Sequence, residues 1–283
     1  MWKGIIVLSL MFASLLFIMG CAGDPGPAGP AGAEVIPAAY TSAKPYLGGA
    51  AYNEWWTTDS GGSGALTITV SSDFARCKAC HAWDGLGNAA SYANRKGQST
   101  GTSTRPDVSS INLRSTIAST SLSQLYTLIE HSWGRPMNAA SNEMPNYKSN
   151  LSVEQIWNLV KFMKEEWVDP TELYDLVVTG PPVSSVGVPT LTYSNIGKGG
   201  DATKGKTFLS NNCNSCHGSD GKKIEVDGLS GQGNFLRSKP NEAWFKIKFG
   251  EPGTGMNPGQ LVTSTSDLKD IYKALTDKSN YPD

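Results

Sequence analysis

Cys77-Lys78-Ala79-Cys80-His81 and Cys213-Asn214-Ser215-Cys216-His217 are the two stretches from which the rest of this chain is read. Each is continued, three positions past its histidine, by an Asp-Gly pair, Asp84-Gly85 and Asp220-Gly221. The chain holds five cysteines, and only Cys21 lies outside these two units. A disulfide framework would scatter its cysteines through a smaller chain. A zinc ribbon also uses paired Cys-x-x-Cys, but its pairs stand roughly 15–20 residues apart, and these are well over a hundred apart. A thioredoxin-like redox pair needs a βαβ setting, and none is legible here.

The histidine completes a different chemistry, the attachment of a c-type haem. Two thiols three positions apart can form thioethers to the two vinyl groups of one porphyrin. The histidine that follows then lies beneath the ring and ligates the iron. Two such units predict two covalently bound haem c groups, held by Cys77, Cys80 and His81 and by Cys213, Cys216 and His217.

The repeat sets the organisation: one haem domain over 38–175, a linker over 176–194 and a second haem domain over 195–283. Hydrophobic residues make up 39% of the chain and charged residues only 17%. Gly, Ser, Thr and Asn fill the difference, which predicts loop-rich domains with short helices. Pro, Val, Ser and Thr dominate Val177–Tyr193 without clear periodicity, the pattern of an extended connection.

In the second domain, Gly200-Asp-Ala-Thr-Lys-Gly-Lys-Thr-Phe-Leu-Ser-Asn-Asn-Cys213 resembles the N-terminal helix of class I cytochrome c and its spacing to the first cysteine. Gly205 falls where that family needs a small residue for close helix crossing, while Leu209 occupies its aromatic position. Ser264 can cap a last helix with Asp267 in its first turn. Leu268, Ile271, Tyr272 and Leu275 then form an i, i+3, i+4, i+7 stripe. The resemblance implies a mainly α fold: two tandem cytochrome c-like small helical haem domains with long loops, joined by an extended linker.

The first domain resembles cytochrome c domains more generally. A helix is expected around Tyr46–Trp56, then a Gly/Ser-rich insertion, Asp59–Ala65, and a strand-like Leu66–Val70. The polar stretch Asn88–Ser110 is expected to wrap the haem as loop. Ser152 and Gln155 form a capping box, followed by a face of Ile156, Leu159, Val160, Met163 and Trp167. The tryptophans that flank the motifs and helices are expected to pack against a large apolar cofactor.

What fills the sixth position of each iron decides between electron transfer and catalysis. Met256 is the sole methionine after the second motif, in Phe249-Gly-Glu-Pro-Gly-Thr-Gly-Met-Asn-Pro258, which looks like the family's methionine loop. The first domain offers Met144, Met137 and His131, in that order. Met144 precedes Pro145 and the last helix, and Met137 also follows a proline. On a helix over Leu122–Trp133, Leu122, Leu125, Tyr126, Ile129 and Trp133 share one side and His131 falls opposite. Met163 is set aside as core because it lies on an apolar stripe.

At the other end, Met1–Lys3 and the apolar run Ile5–Met19 read as a signal peptide over 1–20, the run being shorter than the ~20 residues of a spanning helix. Ile18-Met19-Gly20-Cys21 resembles the lipobox of bacterial lipoproteins, where cleavage before the cysteine frees it for acylation. A retained N-terminal anchor is the alternative, and both readings put the rest of the chain outside the cytoplasm. From Cys21 to Pro37, four Gly-X-Y triplets, Gly23–Glu34, are too few for collagen. They read as a polyproline-like stalk reaching up to ~35 Å at about 3.1 Å per residue.

A formal net charge of -1 calls for no nucleic acid partner. The expected function is electron transfer between redox partners, other redox proteins or an extracellular acceptor, from a membrane-anchored lipoprotein facing the periplasm or cell surface. The other readings are a dihaem redox enzyme, peroxidase or thiosulfate dehydrogenase-like, and a subunit of a haem filament. A peroxidase needs an open iron, whereas a methionine can be named for each site here. A cysteine ligand of the kind used by thiosulfate-oxidising relatives is not left over once all five are assigned.

Overall fold

The computed structural model of the chain describes residues 35–66, 75–87, 89–90, 99–100, 103–104, 112–131, 144, 147–179, 190–256, 259, 262 and 264–283. The leader, Cys21 and the stalk expected from sequence lie outside these, as do Met137, Trp133, 67–70 and most of the Asn88–Ser110 stretch. Among the described residues no helix is long and apolar enough to cross a membrane. The chain is mainly helical, with eleven α-helices among the described residues: α1 Ala38–Ser42, α2 Pro45–Glu54, α3 Cys77–His81, α4 Leu113–Ser119, α5 Leu122–His131, α6 Val153–Lys161, α7 Ala202–Asn212, α8 Asn214–His217, α9 Gly231–Ser238, α10 Pro240–Phe249 and α11 Thr265–Leu275. Two-residue strands β1 (Ser99–Thr100) and β2 (Ser103–Thr104) pair within the expected loop.

In the first half α2 starts on Pro45, where a missing N–H costs nothing. Its Gly48-Gly49-Ala50-Ala51 run lets it cross α6 backbone to backbone: a Cβ on Gly48 would overlap the Asn158 carbonyl. The expected capping box is formed, Gln155 N–H donating to Ser152 Oγ at 3.1 Å and Ser152 N–H to Gln155 Oε1 at 3.1 Å. Gln155 also reaches back with Nε2 to the Trp55 carbonyl at 2.8 Å, tying the two helices together. The α6 helix continues as a π-helical turn, Phe162–Glu166, in which Met163 is buried in the core.

A crossing of the same kind recurs in the second half. Asp201 caps α7 by accepting from the N–H groups of Thr203 and Lys204, and Ser264 caps α11 by accepting from Asp267 N–H. A Cβ on Gly205 would overlap the Asp270 carbonyl, so α7 and α11 also touch through a glycine. Leu268, Ile271, Tyr272 and Leu275 are all buried, the full stripe expected from sequence. Each such side chain contributes about 1.5–3 kcal/mol on leaving water.

The connection is where expectation and structure part. Of the expected linker, residues 176–179 and 190–194 are described, and these are paired strands rather than an open extension. Strand β3 (Asp175–Thr179) pairs antiparallel with β4 (Thr190–Ser194), in register from Asp175↔Ser194 to Thr179↔Thr190. Leu176 faces Tyr193 and Val178 faces Leu191, a half-buried alternation that proline and serine obscure in the sequence. Residues Ile36–Asp283 accordingly form one compact unit. On α10, Phe245 and Phe249 insert among first-half rings: Phe245 lies 5.7 Å from Tyr52, 4.8 Å from Trp83 and 5.7 Å from Phe162. Phe249 lies 5.1 Å from Phe162 and fits against Gly49, where a Cβ would come within 2.5 Å of the ring. Between these two rings in sequence, the largely buried Lys248 ion-pairs with Glu166 at 2.5 Å.

Candidate functional site

The first motif forms the single helical turn α3, and its two flanking carbonyls are held by one face of α2. Tyr52 and Trp55, three residues apart, lie over the motif. Trp55 Nε1 donates to the Ala75 carbonyl at 2.8 Å, and Tyr52 Oη donates to the Ala82 carbonyl at 2.6 Å. Tyr147 adds a longer bond to Ala75 at 3.4 Å. Arg76 is anchored to α2 through an ion pair with Glu54.

The second motif begins at the C-cap of α7, Cys213, and forms the turn α8. Its bonding repeats that of the first. The Asp84 carboxylate accepts from Leu86 N–H at 2.9 Å, and Asp220 accepts from Lys222 N–H at 3.0 Å. The His81 carbonyl accepts from Gly87 N–H at 3.2 Å, and the His217 carbonyl from Lys223 N–H at 2.9 Å. Gly85 and Gly221 both have φ of 73°. The residue after each histidine turns into positive φ: Gly218 at φ 84°, ψ 161°, and Ala82 at φ 61°, ψ -179°. The Asp-Gly pairs noticed in the sequence are thus the local device that turns the chain after each histidine.

Electrostatics distinguish the chemistry these groups can do. Burial pulls His81 down to about 4 and also lowers His217, so both imidazoles are neutral at neutral pH with a lone pair free to bind metal. Each has a buried Nδ1 without a hydrogen-bond partner. Burial pushes the Cys77 thiol up to about 12 and raises Cys213. An exchange-active Cys-x-x-Cys lowers its thiol instead. Cys77, Cys213 and Cys216 are free cysteines. Among the described residues no three His, Cys, Asp or Glu side chains gather as a metal-holding group of their own. Two thiols spaced by one helical turn beside a neutral imidazole fit a covalently attached haem.

The remaining candidates belong to other segments of the chain. Met144 is half-buried and packs on the core. Met256 is half-buried in a closed turn, its N–H donating to Thr254 Oγ1 at 3.1 Å and its carbonyl accepting from Glu251 N–H at 2.8 Å. Asp59 of the first half pins this turn by accepting from Gly253 N–H at 2.8 Å. His131 ends α5 with its side chain 40% exposed and paired to Glu130 at 2.8 Å, while Leu122, Leu125 and Ile129 are buried on the other side. Sequence reading missed the clamp of Tyr52, Trp55 and Tyr147. The one signal available was the i, i+3 spacing of Tyr52 and Trp55.

The cytochrome c family model matches residues 71–167, which include the first motif, Met144 and α6. No curated protein matches the chain. Among solved structures, thiosulfate dehydrogenase (TsdBA) from Marichromatium purpuratum, in its "as isolated" form, matches at 15% identity and a TM-score of 0.19. That match covers 82% of this chain but 45% of the other, so this chain spans less than half its length, and a TM-score so low carries no argument about fold or activity. The family match and the geometry of α3 agree: residues 71–167 match a cytochrome c domain, which supports a cytochrome c and implies a covalently bound haem c.

Proposed function

We propose that the chain is an exported dihaem c-type cytochrome that carries electrons between redox partners in the periplasm or at the cell surface, tethered by lipid on Cys21. The observation that carries this reading is the duplication of local structure. The bonding around Cys77–His81 and its Asp84-Gly85 turn recurs around Cys213–His217 and Asp220-Gly221. The glycine-mediated crossing of α2 with α6 recurs between α7 and α11, as two tandem cytochrome c-like domains over 38–175 and 195–283 require.

Haem supplies one-electron chemistry at its iron when bound. The chain's own residues do the rest. Cys77 and Cys80, and Cys213 and Cys216, would tie each group down by thioethers. His81 and His217 each offer a neutral ring nitrogen. Met144 and Met256 are the residues that would supply thioether ligands, which would favour the reduced iron and suit a carrier. Tyr52, Trp83 and Phe245 keep water from the first site.

Intact mass spectrometry of the mature protein under denaturing conditions tests the count: two haem additions and an acylated Cys21 at the N-terminus are expected. One addition, or none, overturns the dihaem reading. Unchanged membrane association in Cys21→Ser overturns the tether.

A further inference from the structure

The two motifs share sequence plan and local bonding, yet the chain treats them differently. Around the first, Ala79, Ala82, Trp83, Asp84 and Gly85 are buried, and Cys80 is half-buried. Around the second, Ser215, Cys216, Ser219 and Asp220 are exposed, as are Lys222 and Lys223 just beyond them. The difference follows from the residues themselves, apolar Ala79 and Trp83 against Ser215 and Ser219, and from what packs on them. The first is covered by Tyr52 and Trp55 from α2 and, through Trp83, by Phe245 from the second half. The counterparts of Trp83 and Asp84 in the second motif are Ser219 and Asp220, and both face solvent. Ile224, 44% exposed, continues that surface.

We infer that the second site is the port through which electrons enter and leave the chain, and that the first site is interior and exchanges electrons through the second. This rests on the dihaem reading and goes beyond it by giving the two sites unequal roles. Phe245 of α10, packed on Trp83, covers the first motif from the second half. Tunnelling to an external partner falls off steeply with separation, so an interior site without a close partner must use its neighbour. In oxidation, one electron passes from the second site to the external oxidant. One electron from the first site then replaces it, and two leave per chain in all.

Stopped-flow oxidation of the fully reduced, two-haem protein by hexacyanoferrate(III) tests this. Each oxidant takes one electron and becomes hexacyanoferrate(II). Half of the haem absorbance change is expected at a rate that rises linearly with oxidant. The other half is expected to level off at an oxidant-independent rate set by internal transfer. Linear dependence in both halves overturns the inference. The double variant Lys222→Glu, Lys223→Glu replaces attraction of this trianion by repulsion. It should slow the linear half several-fold at low ionic strength and little at high salt. An unchanged linear half places the port elsewhere and also overturns the inference. Phe245→Ala, with its helical circular dichroism intact, should make the saturating half depend on oxidant; a rate that still levels off at the wild-type value removes α10 as the barrier. If mass spectrometry finds a single haem, it is the dihaem reading that fails, and these kinetics then show one phase.

Discussion

Tyr52 donates its hydroxyl to the carbonyl of Ala82 across 2.6 Å, joining the first helix crossing to the residue that follows the motif histidine. Both partners are almost wholly buried, Tyr52 at 1% and Ala82 at 1% exposure. Burial, with Cys77 and Asp84 nearby, holds the phenol far above its ordinary value, so it remains a donor at every pH the protein meets. Tyr52→Phe leaves the Ala82 carbonyl buried without a partner, a loss of about 1–3 kcal/mol. Tyr147→Phe removes a 3.4 Å bond to a carbonyl that Trp55 already satisfies and a hydrogen bond with the Cys77 thiol, leaving no backbone carbonyl unpaired. Urea titration should find the first variant clearly less stable than the second, and the reverse order would contradict the clamp.

Ala82 sits at φ 61°, ψ -179°, a region that essentially glycine alone occupies without strain. Its counterpart in the other motif is a glycine, Gly218. Ala82→Gly should therefore stabilise, by about 1 kcal/mol once the entropy of glycine is subtracted. Gly218→Ala should destabilise by about 1–3 kcal/mol. Midpoints of denaturant unfolding, compared at constant slope, measure both.

Gly48 and Gly205 each allow a backbone crossing in which a Cβ would overlap a carbonyl of the facing helix. Alanine at either position should cost about 3 kcal/mol by forcing the helices apart. Phe245 and Phe249 tie the halves into one core, so the damage should not stay local. Tryptophan fluorescence and far-ultraviolet circular dichroism should report one coincident transition for the wild type and for each variant. Two separated transitions would mean that the halves unfold independently.

Asp169 is held well below the ordinary carboxylate range, chiefly by its hydrogen bonds from Arg114, at 2.9 Å in the closest ion-pair contact. A depressed carboxylate contributes stability above its unfolded value of about 3.9, and that contribution is lost as pH falls toward its folded value. Both side chains are about a third exposed, at 30% and 39%, so solvent screening limits the pair to about 1 kcal/mol at most. Asp169→Asn keeps an acceptor for Thr171 N–H but removes the charge. Its stability should match wild type more closely at pH 3 (roughly one unit below the unfolded value) than at neutral pH. A gap that widens on acidification would reverse the sign of the argument.

Axial ligation is read from the weak far-red band that a thioether gives ferric haem. With His81/Met144 and His217/Met256 pairs, Met144→Ala and Met256→Ala should each remove roughly half of it and lower one reduction potential. A full band in Met144→Ala with a halved one in Met137→Ala would move the first ligand to Met137.

The cofactor chemistry, the helix caps and the apolar stripes were legible in the sequence because each depends on neighbours within one or two turns. Cys77 to His81 are spaced by one helical turn. Ser152 and Gln155 close a box three residues apart, and Leu268 to Leu275 line one helical face. Likewise His131 could be set opposite the apolar side of α5 from periodicity alone. Tertiary structure decided what depends on residues far apart in the chain. No local pattern says that Phe245 will lie against Trp83, or that Asp59 will hold the Met256 turn. Nor does composition reveal that residues 175–179 and 190–194 pair as β3 and β4, since strand pairing is satisfied between ends rather than along a segment. Long-range packing also leaves the first motif more covered than the second, because Tyr52, Trp55 and Phe245 come to it from distant parts of the chain.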